Sequence, residues 1–192
     1  ARLSARSAAG YARVRALTAA TLHCLLGIAA QSRADAERLI ELGAPLARVK
    51  VTGSIKFDMK VPASLTEQAA VLRRDWGMQR PVWVAASTHE GEDELVLEAH
   101  RRVRMQYPRA LLVLVPRHPE RFARVAALCR EQGWKTVLRS EQVPTPADAA
   151  VFVGDSMGEL LLFFGACDIA FIGGSLIAHG GHNPLEASAQ RI

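Results

Sequence analysis

Residues 110–119 read Ala-Leu-Leu-Val-Leu-Val-Pro-Arg-His-Pro: six apolar residues in a row, then a proline, then a cation. An unbroken apolar run of this length bounded by a breaker is the pattern of a strand buried on both faces, as in the middle of a parallel sheet. The segments on either side repeat the theme. Val82–Ala86 is a second apolar run that opens into Ser87-Thr88-His89-Glu90-Gly91. Lys135–Leu138, Ala149–Val153 and Ile169–Ile172 are three more short strand-like stretches. Between them lie helix-like stretches: one from Ser64 or Thr66 to Trp76, then Glu92–Tyr107, Glu120–Gln132 and Met157–Gly165. In Glu92–Tyr107 the positions Leu95, Ala99, Val103 and Tyr107 are expected to form the apolar face. Strands alternating with helices give an α/β fold, a Rossmann-like parallel sheet with helices on both faces.

The first third reads differently. Residues 4–23 are expected to form one helix and Leu25–Ala30 a short buried strand. Ser32 is placed to cap a helix over Arg33–Leu42, with Asp35 and Glu37 at its positive end and Gly43 closing it. Val49–Thr52 is a strand closed by Gly53. Ser54–Pro62 reads as a connector, so the domains are expected at 1–53 and 54–192. A last helix starts near Pro184 and has hardly begun at Ile192, which suggests a piece of a larger protein, truncated within its second domain.

The chain has 192 residues with 24 Lys and Arg against 19 Asp and Glu, a formal net charge of +5. All of that excess sits in residues 1–50, and the first fifteen residues carry Arg2, Arg6, Arg13 and Arg15 with no acid. A basic end on a neutral body points to an anionic partner or to a solvated arginine face. A nucleic-acid partner is disfavoured, because Tyr11 is the only aromatic residue among those fifteen. Three scattered cysteines exclude a disulfide scaffold and are expected as reduced thiols. No signal peptide and no stretch of about 20 apolar residues is found.

Ligands of parallel α/β sheets gather beyond the C-terminal ends of the strands. Four polar strings occupy that rim. The first is Ser87-Thr88-His89-Glu90 and the second Pro116-Arg117-His118-Pro119-Glu120-Arg121. The third is Gly154-Asp155-Ser156-Met157-Gly158-Glu159-Leu160. The fourth runs from Gly173-Gly174-Ser175 to His179-Gly180-Gly181-His182-Asn183-Pro184-Leu185-Glu186. The glycines of the fourth let the backbone approach a ligand closely. Asn183 and Pro184 suit a helix start whose free N–H groups face a phosphate, and Glu186 suits a ribose diol. Arg117 suits a phosphate or carboxylate, with a surface ion pair to Glu120 as the alternative. The histidines match no zinc spacing, so no metal is expected. Asp168 reads as a residue that precedes or caps a strand.

Together these strings resemble the 3-deoxy-D-manno-octulosonic acid (Kdo) transferases of lipopolysaccharide synthesis. So do Ala1-Arg2-Leu3-Ser4 with Ser7 and Gly10-Tyr11, Ala30-Gln31-Ser32 with Asp35-Ala36-Glu37-Arg38, and Val51-Thr52-Gly53-Ser54-Ile55-Lys56-Phe57-Asp58. The resemblance covers essentially the whole chain; Ala187-Ser188 departs from the Pro-Ala expected after Glu186. It implies a fragment of a GT-B glycosyltransferase, the tail of an acceptor domain followed by most of a donor domain. The implied reaction is inverting and metal-independent, with no cofactor. It moves Kdo from CMP-Kdo to a phosphorylated lipid A precursor of the lipid IVA type at the cytoplasmic face of the inner membrane. The implied nucleotide contacts are Pro116, Arg117, Met157, Gly158, Glu159, Leu160, Gly174, Asn183, Pro184, Leu185 and Glu186. The sugar contacts would be Ser87, Thr88, His89, His118 and His182. Lys56 would stabilise developing phosphate charge, and Arg2, Arg6, Arg13 and Arg15 would meet the acceptor or the anionic membrane surface. The family's general base, a glutamate, and its membrane anchor are expected upstream of Ala1, which would leave this piece inactive alone. A GT-B enzyme using a UDP-sugar, or a non-catalytic anion- or nucleic-acid-binding module, are the competing readings.

Overall fold

The computed structural model describes residues 1–54, 61–178 and 180–190. The chain divides into two compact units, Ala1–Met59 and Lys60–Ile192.

The smaller unit contains α1 (Ala5–Ala12), α2 (Arg15–His23), β1 (Ile28–Ala30), α3 (Arg33–Glu41) and β2 (Val49–Val51). The two strands are parallel, with Ile28 beside Val49. Their core is Leu3, Ile28, Ala30, Ala36, Leu39, Leu42 and Ala44. Ser32 caps α3 as expected: its Oγ accepts from the Asp35 N–H at 3.1 Å. Asp35 in turn accepts from the Leu3 N–H at 2.8 Å. The Ser32 hydroxyl, then the Leu3 amide, hold its carboxyl below the usual carboxylate range. The expected single helix over 4–23 breaks at Arg13-Val14, where Val14 leaves helical geometry (φ −121°, ψ 44°). A continuous helix of that length would extend about 30 Å, far beyond the nine residues of α3 on which α1 packs. The expected strand at 25–30 shrinks to three residues, and Leu26 is 97% exposed.

The larger unit is a five-stranded sheet with all neighbours parallel. In chain order it contains α4 (Ala63–Trp76), β3 (Val82–Thr88), α5 (Asp93–Gln106), β4 (Leu111–Pro116), α6 (Phe122–Glu131), β5 (Thr136–Leu138), β6 (Val151–Val153), α7 (Leu160–Ala166), β7 (Ile169–Ile172) and α8 (Leu185–Ala189). The strand order is β5-β6-β4-β3-β7. The long apolar run is therefore central, and all six residues of β4 are buried. Each such aliphatic side chain stabilises the fold by about 1.5–3 kcal/mol.

From β3 the chain moves outward to β4 and past it to the edge strand β5, steps back to β6 between them, then crosses the sheet to place β7 on the other side of β3. Right-handed crossovers put the outward helices on one face and the returning helix on the opposite face. The two core clusters follow this rule. One joins α5 and α6 to the sheet through Val96, Leu97, Val125, Ala126 and Cys129. The other joins α4, α7 and α8 through Trp76, Phe163, Phe164 and Ala187.

One expectation about the core fails. On α5, Leu95 and Tyr107 are 51% and 54% exposed, while Asp93, Val96, Leu97 and His100 are buried. The true inner face includes two polar residues, which the apolar spacing could not mark. Each is satisfied internally. His100 Nε2 lies 2.9 Å from the Ala150 carbonyl, and its Nδ1 accepts from Trp83 Nε1 at 3.1 Å. Asp93 accepts from Thr88 Oγ1 at 2.7 Å and pairs with Arg121.

Candidate functional site

The reversal of direction beside β3 makes a topological switch point between β3 and β7. In open α/β sheets this is where the connections leave in opposite directions and open a crevice at the strand ends. Two of the four rim strings, Ser87–Glu90 and Gly173–Glu186, meet there.

At the end of β3 the register slips between Ala86 and Thr88. Ser87 sits in the bulge at φ 56°, a left-handed conformation unusual for serine. Bulges of this kind re-aim strand ends next to functional sites. The bulge brings the Ser87 carbonyl against Gly173. A Cβ at Gly173 would lie 2.5 Å from Ser87 O and 2.9 Å from Thr88 Cα, so only glycine allows this approach. Gly173 N donates to the Ala86 carbonyl at 2.8 Å, and His182 N donates back to Gly173 O at 3.2 Å. Gly174 has φ +81°, and a Cβ there would meet the Gly180 carbonyl at 2.8 Å.

Side chains close the same seam. His89 Nε2 and His182 Nε2 lie 2.6 Å apart, with the rings stacked at 4.9 Å. One ring must donate and the other accept, so this contact accommodates at most one positive charge across the pair. His118 meets His89 edge-on at 5.7 Å. The Thr88 carbonyl accepts from the Arg117 N–H at 3.0 Å and from Arg121 Nη1 at 2.5 Å. Thr88 thereby ties the end of β3 to the string that follows β4. Arg117 itself is exposed and makes no ion pair with Glu120, contrary to the structural alternative for it.

Glu92 was not marked by the sequence reading, yet it is fully buried at the centre of this seam. Its carboxylate accepts from His89 N at 3.0 Å, from Gly174 N at 2.7 and 2.9 Å, and from Leu176 N at 3.0 Å. Burial pushes its carboxyl pKa up, and these backbone donors outweigh burial and hold it below the ordinary value. The available signal was its position three residues after His89, the reach of a carboxylate back to a backbone N–H at a helix start. Asp93 beside it goes the other way: burial, only partly opposed by Thr88 and Arg121, raises its pKa.

The third rim string lies after β6, two strands away from β3. There Met157 and Gly158 are exposed ahead of α7, and α7 begins only at Leu160, later than expected. Glu159 is bound by Arg139 in a two-pronged pair at 2.8–3.2 Å and by the Ser156 hydroxyl. Arg139 above all holds its carboxyl below the usual range. Asp155 accepts from Ser140 N and Oγ at 2.9 and 2.5 Å. Asp168 precedes β7 and accepts from Val82 N at 2.7 Å, the strand-end role expected of it.

In the fourth string Asn183 Oδ1 accepts from Leu185 N at 3.2 Å, and Pro184 precedes the first helical residue. The described helix is five residues long. Glu186 is half-buried, with no ion-pair partner among the described residues. Lys56 and His179 lie outside the described residues. Arg2, Arg6, Arg13 and Arg15 are all exposed on the smaller unit. Among the described residues no group of three or more His, Cys, Asp or Glu side chains is arranged to hold a metal ion. No helix is long and apolar enough to cross a membrane among them either. A separate hollow of about 570 Å³ opens beside β5, lined by Gln68, Val71, Asp75, Arg139 and Pro144 among others, away from the β3/β7 seam.

The profile of the family described as 3-Deoxy-D-manno-octulosonic-acid transferase (kdotransferase) matches residues 1–59, essentially the smaller unit. A 3-deoxy-D-manno-octulosonic acid transferase of Haemophilus influenzae is 46% identical over all 192 residues, and one of Bordetella pertussis is 37% identical over 84% of the chain. The chain spans 45% and 38% of the length of these two relatives. A solved structure, the C-terminal CMP-Kdo binding domain of WaaA from Acinetobacter baumannii, aligns with a TM-score of 0.64 and 36% identity. The alignment covers 68% of this chain and 69% of that domain. One unit thus answers to the family's profile and the sequence as a whole to its curated members and a solved domain: the chain belongs to the Kdo transferase family.

Proposed function

We propose that this chain is part of a glycosyltransferase of the GT-B type that moves Kdo from CMP-Kdo to a phosphorylated lipid A precursor. The larger unit would hold the donor and the smaller unit would contribute to the acceptor side. The observation that carries the reading is the glycine turn packed against the end of β3 at the β3/β7 switch point, in a chain whose structural relative is named for binding CMP-Kdo.

The chemistry follows from what stands there. A bond forms between an acceptor hydroxyl oxygen and the anomeric carbon of Kdo, and the bond from that carbon to the CMP phosphate breaks. Attack from the side opposite the leaving group inverts the anomeric centre. The hydroxyl proton passes to a base, a role assigned to no residue of this chain. The departing CMP phosphate gains charge, and Arg117, exposed on the rim, is the cation to meet it. Lys56 is proposed as a second such cation. Pro116, Gly174 and Asn183–Glu186 would frame the nucleotide, with Glu186 accepting from the ribose hydroxyls. Met157–Leu160 would contact it from the neighbouring strand end. Ser87, Thr88, His89, His118 and His182 would face the sugar. Charge stabilisation by side chains and backbone N–H groups lets the reaction run without a metal.

Arg2, Arg6, Arg13 and Arg15 would meet lipid phosphates or anionic headgroups at the cytoplasmic face of the inner membrane. Neutralising all four in the full-length enzyme should weaken its binding to anionic vesicles, and unchanged binding rejects that role. The donor assignment is tested by product inhibition of the full-length enzyme. CMP should inhibit Kdo transfer competitively against the donor, and UDP should not; inhibition by UDP alone would favour a UDP-sugar enzyme instead.

A further inference from the structure

We infer that Glu92 is a positioning residue of the donor site, setting the place of the Gly173–Leu176 turn before any ligand arrives; this rests on the donor reading above. Three backbone N–H groups from two separate loops converge on one buried carboxylate. Two of them, from Gly174 and Leu176, belong to the glycine turn. The third, from His89, belongs to the loop that follows β3. An ionised carboxylate is the side chain able to accept all of them at once, because it carries two oxygens and no donor hydrogen. The turn cannot reach this position by packing alone. Ser175 and Leu176 are exposed, and glycines 173 and 174 have no side chains to bury. Without Glu92 the turn would be held to the end of β3 by the Gly173–Ala86 hydrogen bond and the His89–His182 contact. The same turn supplies Gly174, a residue proposed to touch the nucleotide, and it accepts at Gly173 O from the N–H of His182, proposed to face the sugar. Glu92 is buried beneath the glycine turn and acts on the donor through these groups.

The test uses the full-length enzyme and three variants, Glu92→Gln, Glu92→Asp and the core variant Val113→Ala, which loses buried methyl groups of β4 at a distance from the site. Gln keeps the shape but replaces one acceptor by a donor facing other donors. Asp keeps the charge with a shorter reach. The expected result is a donor KM raised about tenfold, the loss of roughly one net hydrogen bond, in Glu92→Gln, with the acceptor KM unchanged and a smaller rise in Glu92→Asp. Val113→Ala should lower Tm while leaving both KM values alone. Unchanged donor KM in Glu92→Gln, or equal rises in both KM values, would overturn the inference while leaving the donor assignment intact; a wild type that CMP fails to inhibit would overturn the assignment itself. If neither Glu92 variant folds, amide hydrogen exchange on the wild type decides. Gly174 and Leu176 should be protected without ligand, and exchange at open-loop rates there would refute a preset turn.

Discussion

Replacing Gly173 by alanine tests the seam most sharply. An added Cβ would lie 2.5 Å from the Ser87 oxygen, 2.8 Å from its carbonyl carbon and 2.9 Å from Thr88 Cα. All three are backbone atoms, and Ser87 already sits in the left-handed region, so none can turn aside as a side chain would. A carbon–oxygen contact relaxes near 3.3 Å, so the strand ends must part by about 0.8 Å. Overpacking of this kind costs about 1–3 kcal/mol. For a protein unit of this size that is a fall in Tm of roughly 3–10 °C. A displacement approaching 1 Å at a reacting centre lowers rate about 10²-fold, so Kdo transfer should fall by that order. Thermal unfolding and an initial-rate assay on the full-length enzyme read both effects. Gly10→Ala is the control: nothing lies within 4 Å of its added Cβ, and the site is inside α1. It should stabilise the protein by about 0.5–1 kcal/mol. If Gly173→Ala matches Gly10→Ala in Tm and in rate, the seam is not closed as described.

Further outcomes follow from single residues. His100 is buried and neutral, its pKa lowered to about 4, mainly by burial. Unfolded, it titrates near its ordinary 6.5, so between those values the unfolded chain binds the extra proton and stability falls as pH falls. The loss has a slope of up to about 1.4 kcal/mol per pH unit. Near the acid end of that window Glu92 and Glu159, held below their ordinary 4.5, add to the loss, while Asp93, whose pKa is raised, opposes it. His100→Gln, which keeps a donor and an acceptor but cannot ionise, should flatten urea-unfolding stability across pH 6.5 to 4. Arg117→Ala should weaken CMP binding by roughly 10- to 100-fold, one charge-assisted hydrogen bond, measured by calorimetry. Its Tm should not move, since the side chain is exposed and has no ion pair among the described residues.

Much of the larger unit could be read from the chain. The six apolar residues ending at Pro116 are the central strand because burial on both faces leaves no room for alternation. Gly77 closes α4 at φ +100° where the sequence placed its end. What escaped the reading was polar burial. Asp93 and His100 lie on the inner face of α5, so the apolar spacing of Leu95, Ala99, Val103 and Tyr107 marked the wrong side. Glu92 escaped for the same reason, since its partners are backbone amides up to 84 residues away. The rim strings were visible because each follows an apolar run, but which two meet was not. That depends on the strand order, fixed by the return of the chain from β6 to β7. The place of Glu159 at a helix start was legible, but the pairing of its side chain with Arg139, which arrives from a different strand end, was not.

The proposed donor site at the β3/β7 seam is tested most directly by adding CMP to the isotope-labelled full-length protein and following backbone amide resonances. Perturbations should concentrate at Thr88, His89, Arg117, Gly173–Leu176 and Asn183–Glu186. A response confined to the hollow beside β5, at Gln68, Val71 and Arg139, or no response at saturating CMP, would contradict the assignment.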